Sequence, residues 1–144
     1  MSKVVFITGA SSGIGRATAL AFVQAGYHVA GTARRSERLQ SLADEIAALP
    51  AGAGQFLPVT GDVTNAESMH EAVAATVEQW GRLDVLVANA GVGQRGAVVE
   101  TDWDDLETLL RTNIDGVIHS VRACVPALRE VGGGHILTIS SVAY

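Results

Sequence analysis

The feature that most constrains this chain is a glycine-rich turn that joins an apolar run to a segment with helical spacing. The apolar run covers residues 4–7, and the turn, residues 8–16, reads TGASSGIGR. A strand that feeds such a turn and then a helix is typical of dinucleotide-binding sites, because the backbone can approach a pyrophosphate at the helix N-terminus. Gly9, Gly13 and Gly15 depart from the literal G-x-G-x-x-G spacing, and plain loops also carry such glycines. The turn favours a dinucleotide site that later positions must support.

Strand-like and helix-like segments alternate along the rest of the chain. Runs of β-branched and apolar residues predict strands at residues 3–8, 27–33, 55–60, 83–88 and 135–140. Helical spacing predicts helices at residues 13–25, 36–49, 64–80 and from 101 onward. This alternation predicts a Rossmann-type α/β fold, a doubly wound parallel sheet with helices on both faces. A ligand of such a sheet binds outside the C-terminal strand ends, where the strand order reverses.

The helical segments also predict which side chains face the sheet. In the first helix these are Ile14, Ala17, Leu20, Ala21 and Val23. The third helix is expected to begin with a capping box formed by Thr64 and Glu67. The long helix after residue 101 carries near one face Leu106, Leu110, Asn113, Val117 and Val121. Pro126 is expected to kink or end that helix.

Composition excludes several classes of function. The chain has 144 residues, 48% of them hydrophobic and 17% charged, which suits one globular domain with a sizeable core. A net charge of −5 without a basic stripe argues against nucleic-acid binding. The single cysteine, Cys124, excludes an intrachain disulfide and predicts a small buried side chain in a reducing compartment. No apolar run is long enough for a signal peptide or membrane span, so we expect a cytoplasmic protein that has no membrane partner. No metal site is predicted.

Several residues on the predicted elements together carry a family resemblance. Besides the glycine turn they are Asp62-Val63, Asn89-Ala90-Gly91, Asn113 and Ile139-Ser140-Ser141. With these in order and at the usual spacing, the chain from Lys3 onward resembles the short-chain dehydrogenase/reductase family. The resemblance implies an NAD(P)-binding Rossmann domain over residues 1–144. It also implies an oxidoreductase that transfers hydride between the nicotinamide and a small-molecule carbonyl or alcohol substrate, and a homo-oligomer in the complete protein.

The resemblance assigns the cofactor-binding residues. They are Gly9, Ser11, Ser12, Gly13, Ile14, Gly15, Asp62, Val63, Asn89, Ala90 and Gly91. Asp62 and Val63 look like the pair that holds the adenine ring. The alternative is that Asp62 is only a turn or N-cap aspartate near Thr64. The segment 89–91 is similar to a motif that steadies the sheet and lines the cofactor channel, and it is also ordinary turn chemistry. Ala88 departs from the asparagine that the family usually has there.

The charges after the second strand indicate which cofactor is preferred. An NAD site places an acid there to accept hydrogen bonds from the ribose, whereas this chain has Ala33 followed by Arg34 and Arg35. Two guanidinium groups suit a 2′-phosphate, which predicts NADP, with NAD less favoured. Arg16 could add to this charge. The alternative is a solvated pair on a helix that also carries Arg38, but cations at a helix N-terminus oppose its dipole.

Two residues are candidates for the catalytic machinery by resemblance. Ser141 matches the serine that hydrogen-bonds the substrate oxygen, with Ser140 as the fallback, although a serine pair after a strand is also common in loops. Asn113 is a polar residue on a buried helical face and must find partners. It either makes a helix–sheet hydrogen bond or holds a water in the family's proton relay, and one side chain can do both.

The family's Tyr-x-x-x-Lys pair does not occur in the sequence. Tyr144 lies too soon after Ser141 and has no lysine four residues on. Relative to the family, the fold is therefore expected to be incomplete after the fifth strand, which would form an exposed apolar edge for later elements to cover. Two functions follow: an NADP-dependent oxidoreductase whose 144 residues alone are inactive, or a catalytically incomplete nucleotide-binding or assembly module.

Overall fold

The computed structural model of the protein describes residues 1–141. The strands are β1 (Val4–Thr8), β2 (His28–Ala33), β3 (Phe56–Thr60), β4 (Val85–Ala88) and β5 (His135–Thr138). The α-helices are α1 (Gly13–Gln24), α2 (Ser36–Ala47), α3 (Ala66–Trp80), α4 (Trp103–Leu110) and α5 (Gly116–Glu130). A 3-10 turn covers Val98–Glu100, and a π-helical segment, Arg111–Asp115, joins α4 to α5. The first four strands begin one or two residues later than predicted.

The five strands form one parallel sheet in the order β3-β2-β1-β4-β5. The strand order reverses at β1, because β2 and β3 extend to one side of it and β4 and β5 to the other. The registers pair Thr8 with Thr32 and Ile7 with Val87, so β1, β2 and β4 end at the same edge of the sheet. The predicted doubly wound Rossmann-type fold is confirmed.

Alternate residues of the strands build two hydrophobic cores, one on each face of the sheet. Val5, Ile7 and Val29 pack against α1 and α2 on one face. Phe6 and Leu86 pack against α3 and α5 on the other. All five residues of β1 are buried, as expected for a central strand that helices cover on both faces.

The packing face of α1 differs from the prediction. The buried positions are Gly15, Ala19 and Val23, whereas Ile14 is 62% exposed. Ala17 and Ala21 are also exposed. Small residues at positions four apart lie where the helix comes closest to the sheet. The hydrophobicity of the sequence alone does not distinguish these positions from the larger apolar residues next to them.

The predicted capping box of α3 is wrong. Asn65 is the N-cap, and its side-chain oxygen accepts a hydrogen bond from the Ser68 amide at 3.0 Å. Thr64 is engaged elsewhere, because its hydroxyl and its amide both donate to Asp62 Oδ1, at 2.8 and 2.9 Å. The helix ends as predicted at Gly81, whose φ is +76°.

The long helical region from α4 to α5 differs from the prediction in two ways. Leu110 is 46% exposed. The buried positions of α5 include the small residues Gly116 and Ser120, each one residue before a predicted position, Val117 and Val121. The helix continues through Pro126 to Glu130, so Pro126 does not end it, while the predicted kink stays a prediction. Pro126 is exposed, as is Arg122, whose carbonyl would otherwise accept the missing amide hydrogen, so water can satisfy that carbonyl.

Strand β5 forms the exposed edge that the sequence predicts. All four of its residues are exposed, with Ile136 at 43% and Leu137 at 46%. Ile139, just after the strand, is 44% exposed and still donates its amide to the Ala88 carbonyl at 3.0 Å. Tyr144 lies outside the described residues. Within residues 1–141, no helix has the length and hydrophobicity needed to cross a membrane.

Candidate functional site

A cleft of about 520 Å³ lies at the C-terminal ends of the strands, where the strand order reverses. Eleven of the thirteen predicted cofactor-binding residues line it, namely Gly9, Ser11, Ser12, Ile14, Arg34, Arg35, Asp62, Val63, Asn89, Ala90 and Gly91. Gly13 and Gly15 are not among the lining residues. The cleft is therefore where the fold class places a ligand.

Gly15 packs α1 against β1 and leaves no room for a side chain. A Cβ atom at Gly15 would overlap the Gly9 carbonyl oxygen and come within 2.5 Å of Asn89 Nδ2. Gly13 differs, because a Cβ atom there would meet nothing within 4 Å. Its φ of +55° lies in the left-handed region that glycine adopts most readily. Gly13 is exposed, so the space beside it at the N-terminus of α1 is open, and a helix N-terminus suits an anionic group.

Asn89 holds the end of β4 to the end of β1. Its Nδ2 group lies within hydrogen-bond distance of the carbonyl oxygens of Thr8 and Gly9, at 3.2 and 3.1 Å. In return, Thr8 Oγ1 accepts from the amides of Asn89 and Ala90, both at 3.0 Å. These bonds steady the sheet next to the glycine turn and fix the wall of the cleft, so the two interpretations of this segment are compatible.

Asp62 and Val63 form the wall of the cleft after β3. The Asp62 amide donates to Ser68 Oγ at 2.9 Å, and Oδ1 of its carboxylate accepts from Thr64. The turn chemistry that Asp62 suggests in the sequence is therefore present, and the residue also lines the cleft. The Val63 carbonyl oxygen lies 2.8 Å from Nδ1 of His119 on α5, a contact that the sequence alone did not suggest.

Three arginines line the cleft at the start of α2. Arg34 and Arg35 are joined by Arg38, which is one turn into the helix and is not among the cofactor-binding residues that the sequence predicts. All three are exposed, and no ion pair within residues 1–141 engages them. Arg16 does not join them, because it pairs with Glu45 on α2. The suggested contribution of Arg16 to this charge is therefore wrong.

Sequence reasoning missed further residues of the cleft. They are Thr32, Gly61, Val92 and Thr112. Thr32 is 1% exposed, and its hydroxyl oxygen has no hydrogen-bond partner within the described part of the chain. Its place at the end of β2, one residue before Ala33, is the signal that could have found it. A buried hydroxyl that lines the cleft without a partner suits a polar ligand or a water.

Neither Asn113 nor Ser141 is among the residues that line the cleft. Asn113 lies in the π-helical segment, where its Oδ1 accepts from the Val92 amide and its Nδ2 donates to the Val92 carbonyl, both at 2.8 Å. Its partner is thus a loop after β4 and not the sheet itself. Ser141 is exposed and follows the end of β5. Among the described residues, no group of three or more His, Cys, Asp or Glu residues is placed to hold a metal ion.

Known proteins resemble this chain over nearly all of its length. A 3-oxoacyl-(acyl-carrier-protein) reductase from Thermotoga maritima is 37% identical over 140 residues, and an NADP-dependent 3-hydroxy acid dehydrogenase from Salmonella typhi is 39% identical over 145. Both alignments cover 97% of this chain but only 56% and 54% of those proteins. The structure of an alcohol dehydrogenase from the archaeon Thermococcus sibiricus, complexed with 5-hydroxy-NADP, superposes with a TM-score of 0.89 at 34% identity. That superposition covers 97% of this chain and 59% of the other.

A parallel sheet with a glycine-lined cleft at its point of strand reversal defines a Rossmann-type protein. The family model for short chain dehydrogenase matches residues 3–144. The chain belongs to that family of oxidoreductases, whose members bind NAD(P). It spans about half the length of the curated relatives that it matches.

Proposed function

We propose that the protein is an NADP-dependent oxidoreductase that transfers hydride between the nicotinamide and a carbonyl or alcohol group of a small molecule. The observation that carries the choice of cofactor is the set of three arginines at the cleft, together with Ala33 where an NAD site has an acid. These guanidinium groups have no ion-pair partner within residues 1–141, and each can donate two hydrogen bonds to a phosphate. The Salmonella relative is named as NADP-dependent, and the Thermococcus enzyme holds an NADP derivative.

Residues 1–144 would form the NAD(P)-binding domain, incomplete relative to the family. The pyrophosphate binds at the N-terminus of α1, next to Gly13, because the first backbone amides of a helix have no partner within the helix and favour an anionic group. Asp62 and Val63 flank the adenine ring, and Arg34, Arg35 and Arg38 bind the 2′-phosphate. The buried Thr32 hydroxyl is satisfied by the cofactor or by a water that it retains. When bound, the nicotinamide supplies or accepts the hydride.

Asn113 and Ser141 are proposed to serve the substrate side. Ser141 donates a hydrogen bond to the substrate oxygen, as its match to the family suggests. The Asn113 side chain is already bonded to Val92, so its own contribution is to hold the loop after β4 against α4 and α5. Its role in ordering a water of the proton relay remains a prediction.

The test of the cofactor is a calorimetric titration of the intact gene product with NADPH and with NADH. The unaltered protein should bind NADPH more tightly, and Ala33→Asp/Arg34→Ala should reverse the preference. Losing a charge-assisted phosphate contact should cost roughly 1.5–3 kcal/mol of NADPH binding free energy. Arg129→Ala is the control for the loss of one arginine, because it removes a positive charge from the exposed end of α5. Equal affinities in the unaltered protein, or tighter binding of NADH, would contradict the proposal.

A further inference from the structure

The segment that forms the adenine side of the cleft is attached to α5 by a histidine. Nδ1 of His119 lies 2.8 Å from the carbonyl oxygen of Val63, and the histidine is half-buried. A carbonyl oxygen only accepts hydrogen bonds, so Nδ1 must carry the proton. Within residues 1–141, His119 is the only hydrogen-bond partner of that carbonyl oxygen.

The backbone of α5 also makes room for the Val63 side chain. Gly116 lies one turn before His119, and a Cβ atom at Gly116 would come within 2.7 Å of Val63 Cγ2 and 3.0 Å of Val63 Cβ. Val63 is 8% exposed and belongs to the core between the sheet, α3 and α5. Gly116 therefore accepts the side chain of Val63 while His119 binds its carbonyl group.

The residue before Val63 is held from the other side. Ser68 on α3 accepts the Asp62 amide hydrogen, and Thr64 donates twice to the Asp62 carboxylate. The wall formed by Asp62 and Val63 is thus fastened to α3 through one residue and to α5 through the next. Without the hydrogen bond from α5, the carbonyl oxygen of Val63 would have no partner at a partly buried position. The Asp62–Val63 wall would then be free to shift.

We infer that His119 is a positioning residue for the adenine side of the cleft, because it holds the Asp62–Val63 wall through the Val63 carbonyl oxygen. His119 is not itself among the residues that line the cleft. This inference rests on the proposed function in assuming that the adenine half of NADP binds at this wall. The role predicts a specific pattern: changes at His119 weaken the adenine half of the cofactor and leave the nicotinamide half unaffected.

The test measures two halves of the cofactor separately in the intact gene product. The probes are 2′,5′-ADP for the adenine half and nicotinamide mononucleotide for the other half, titrated by NMR. His119→Phe keeps a ring without a donor and should weaken 2′,5′-ADP binding by roughly three- to tenfold, the worth of one hydrogen bond. His119→Asn keeps a donor near the position of Nδ1 and should stay within about twofold of the unaltered protein. His70→Phe, on the exposed face of α3, is the matched control.

Each outcome separates this inference from the proposed function. If the unaltered protein binds 2′,5′-ADP and His119→Phe binds it equally well, the positioning role is wrong while the proposed function stands. An equal loss of both probes would also overturn the role, because it would show a general loss of structure. If the unaltered protein does not bind 2′,5′-ADP at all, the proposed function fails, and the role fails with it.

A second measurement needs no variant and no ligand. Nitrogen-15 correlation spectra of the unaltered protein at alkaline pH distinguish which ring nitrogen of a neutral histidine carries the proton. The hydrogen bond to the Val63 carbonyl requires the proton of His119 to be on Nδ1. Finding it on Nε2 would overturn the inference even if the Phe variant proved too unstable to titrate.

Discussion

At the scale of single residues, two glycines of the same turn serve different ends. Gly15 is surrounded by backbone and by the Asn89 amide, so its missing side chain lets α1 approach β1. Gly13 faces open space and has a left-handed backbone, so its missing side chain leaves room for a ligand. A single residue separates the two positions in the sequence. Only their surroundings in the structure distinguish the two roles.

Substitution of these glycines should therefore separate binding from folding. Gly13→Val, or the milder Gly13→Ala, should abolish or strongly weaken cofactor binding, because the side chain would enter the space proposed for the pyrophosphate. It should leave helix content largely intact, at a cost of about 1 kcal/mol for the left-handed backbone of the alanine variant. Gly15→Ala should instead lower the melting temperature sharply, since its Cβ atom overlaps the Gly9 backbone. Circular dichroism melts and NADPH titration check both, and collapse of the helix signal in Gly13→Ala would contradict this division.

A second feature at the scale of single residues is the ion pair between Arg82 and Asp84, at the N-terminal ends of the strands. Asp84 is 7% exposed and accepts hydrogen bonds from the Val4 amide at 2.9 Å and from Arg82 at 2.8 and 2.6 Å. Burial acts to raise the pKa of the Asp84 carboxyl, but the hydrogen bonds from Arg82 and Val4 outweigh it and lower that pKa. Asp84 thereby ties the start of β1 to the start of β4.

The lowered pKa of Asp84 predicts how stability depends on pH. Because the folded pKa lies below the unfolded one, near 3.9, the stabilisation is present above the unfolded value and is lost as pH falls through the folded pKa. Asp84→Ala should lower the free energy of unfolding by about 1–3 kcal/mol at neutral pH, by leaving the buried Val4 amide without its partner. Urea unfolding from pH 7 down to about pH 2 tests this, with exposed Glu71→Ala as control. A deficit as large at pH 2 as at pH 7 would contradict the assignment.

At the scale of elements, the π-helical segment supports the loop that closes one side of the cleft. The wider turn at Arg111–Asp115 contains Asn113, whose amide makes a pair of hydrogen bonds with the backbone of Val92. Thr112, its neighbour, lines the cleft together with Val92. A departure from α-helical geometry thus occurs where the helix meets the candidate site, as π-bulges often do.

Replacing Asn113 should loosen that loop. Asn113→Ala removes both bonds to Val92 and should lower the free energy of unfolding by roughly 1–3 kcal/mol. Asn113→Asp keeps an acceptor for the Val92 amide but places a carboxylate oxygen against the Val92 carbonyl oxygen, so it should not restore the stability lost in Asn113→Ala. Hydrogen exchange at the Val92 amide measures the change directly. Unaltered protection of this amide in Asn113→Ala would show that the side chain does not hold the loop.

At the scale of the whole molecule, one part of the described sheet is covered by helices and another part is exposed. The sheet from β3 to β4 is covered on both faces, while β5 leaves Ile136 and Leu137 nearly half exposed. Ser141, the candidate for the substrate oxygen, follows that exposed strand. The candidate cofactor cleft therefore lies at the covered part of the sheet, while the candidate substrate residue follows the exposed part.

This division predicts the activity of the 144 residues alone. They are expected to bind NADPH but to show no NADPH oxidation with a panel of ketones and aldehydes. Neither Ser141 nor Asn113 can supply a proton near neutral pH, and general acid catalysis contributes about 10²–10⁴-fold. A longer gene product that carries a Tyr-x-x-x-Lys segment should be active and should lose activity in Ser141→Ala. Turnover by residues 1–144 that disappears in Tyr144→Phe would show that Tyr144 is the acid.

The sequence by itself determined the class of fold and the edge of the sheet that carries the site. The glycine turn, the alternating strands and helices, and the charges after β2 are all local patterns within one element or at its end. Local spacing dictates such features, because the periods of helix and strand are properties of the chain. The exposed edge at β5 was instead predicted from the family resemblance and not from a local pattern.

Only the tertiary structure decided which side chains share the cleft. Arg38 and Thr32 reach it although neither stands out in the sequence, whereas Arg16 is taken by Glu45, 29 residues away. His119 meets Val63 across 56 residues of sequence. These contacts depend on how neighbouring helices pack on the sheet. That packing depends on side-chain sizes and on the distance between elements where they cross, and neither can be deduced from the spacing of residues within one helix or strand.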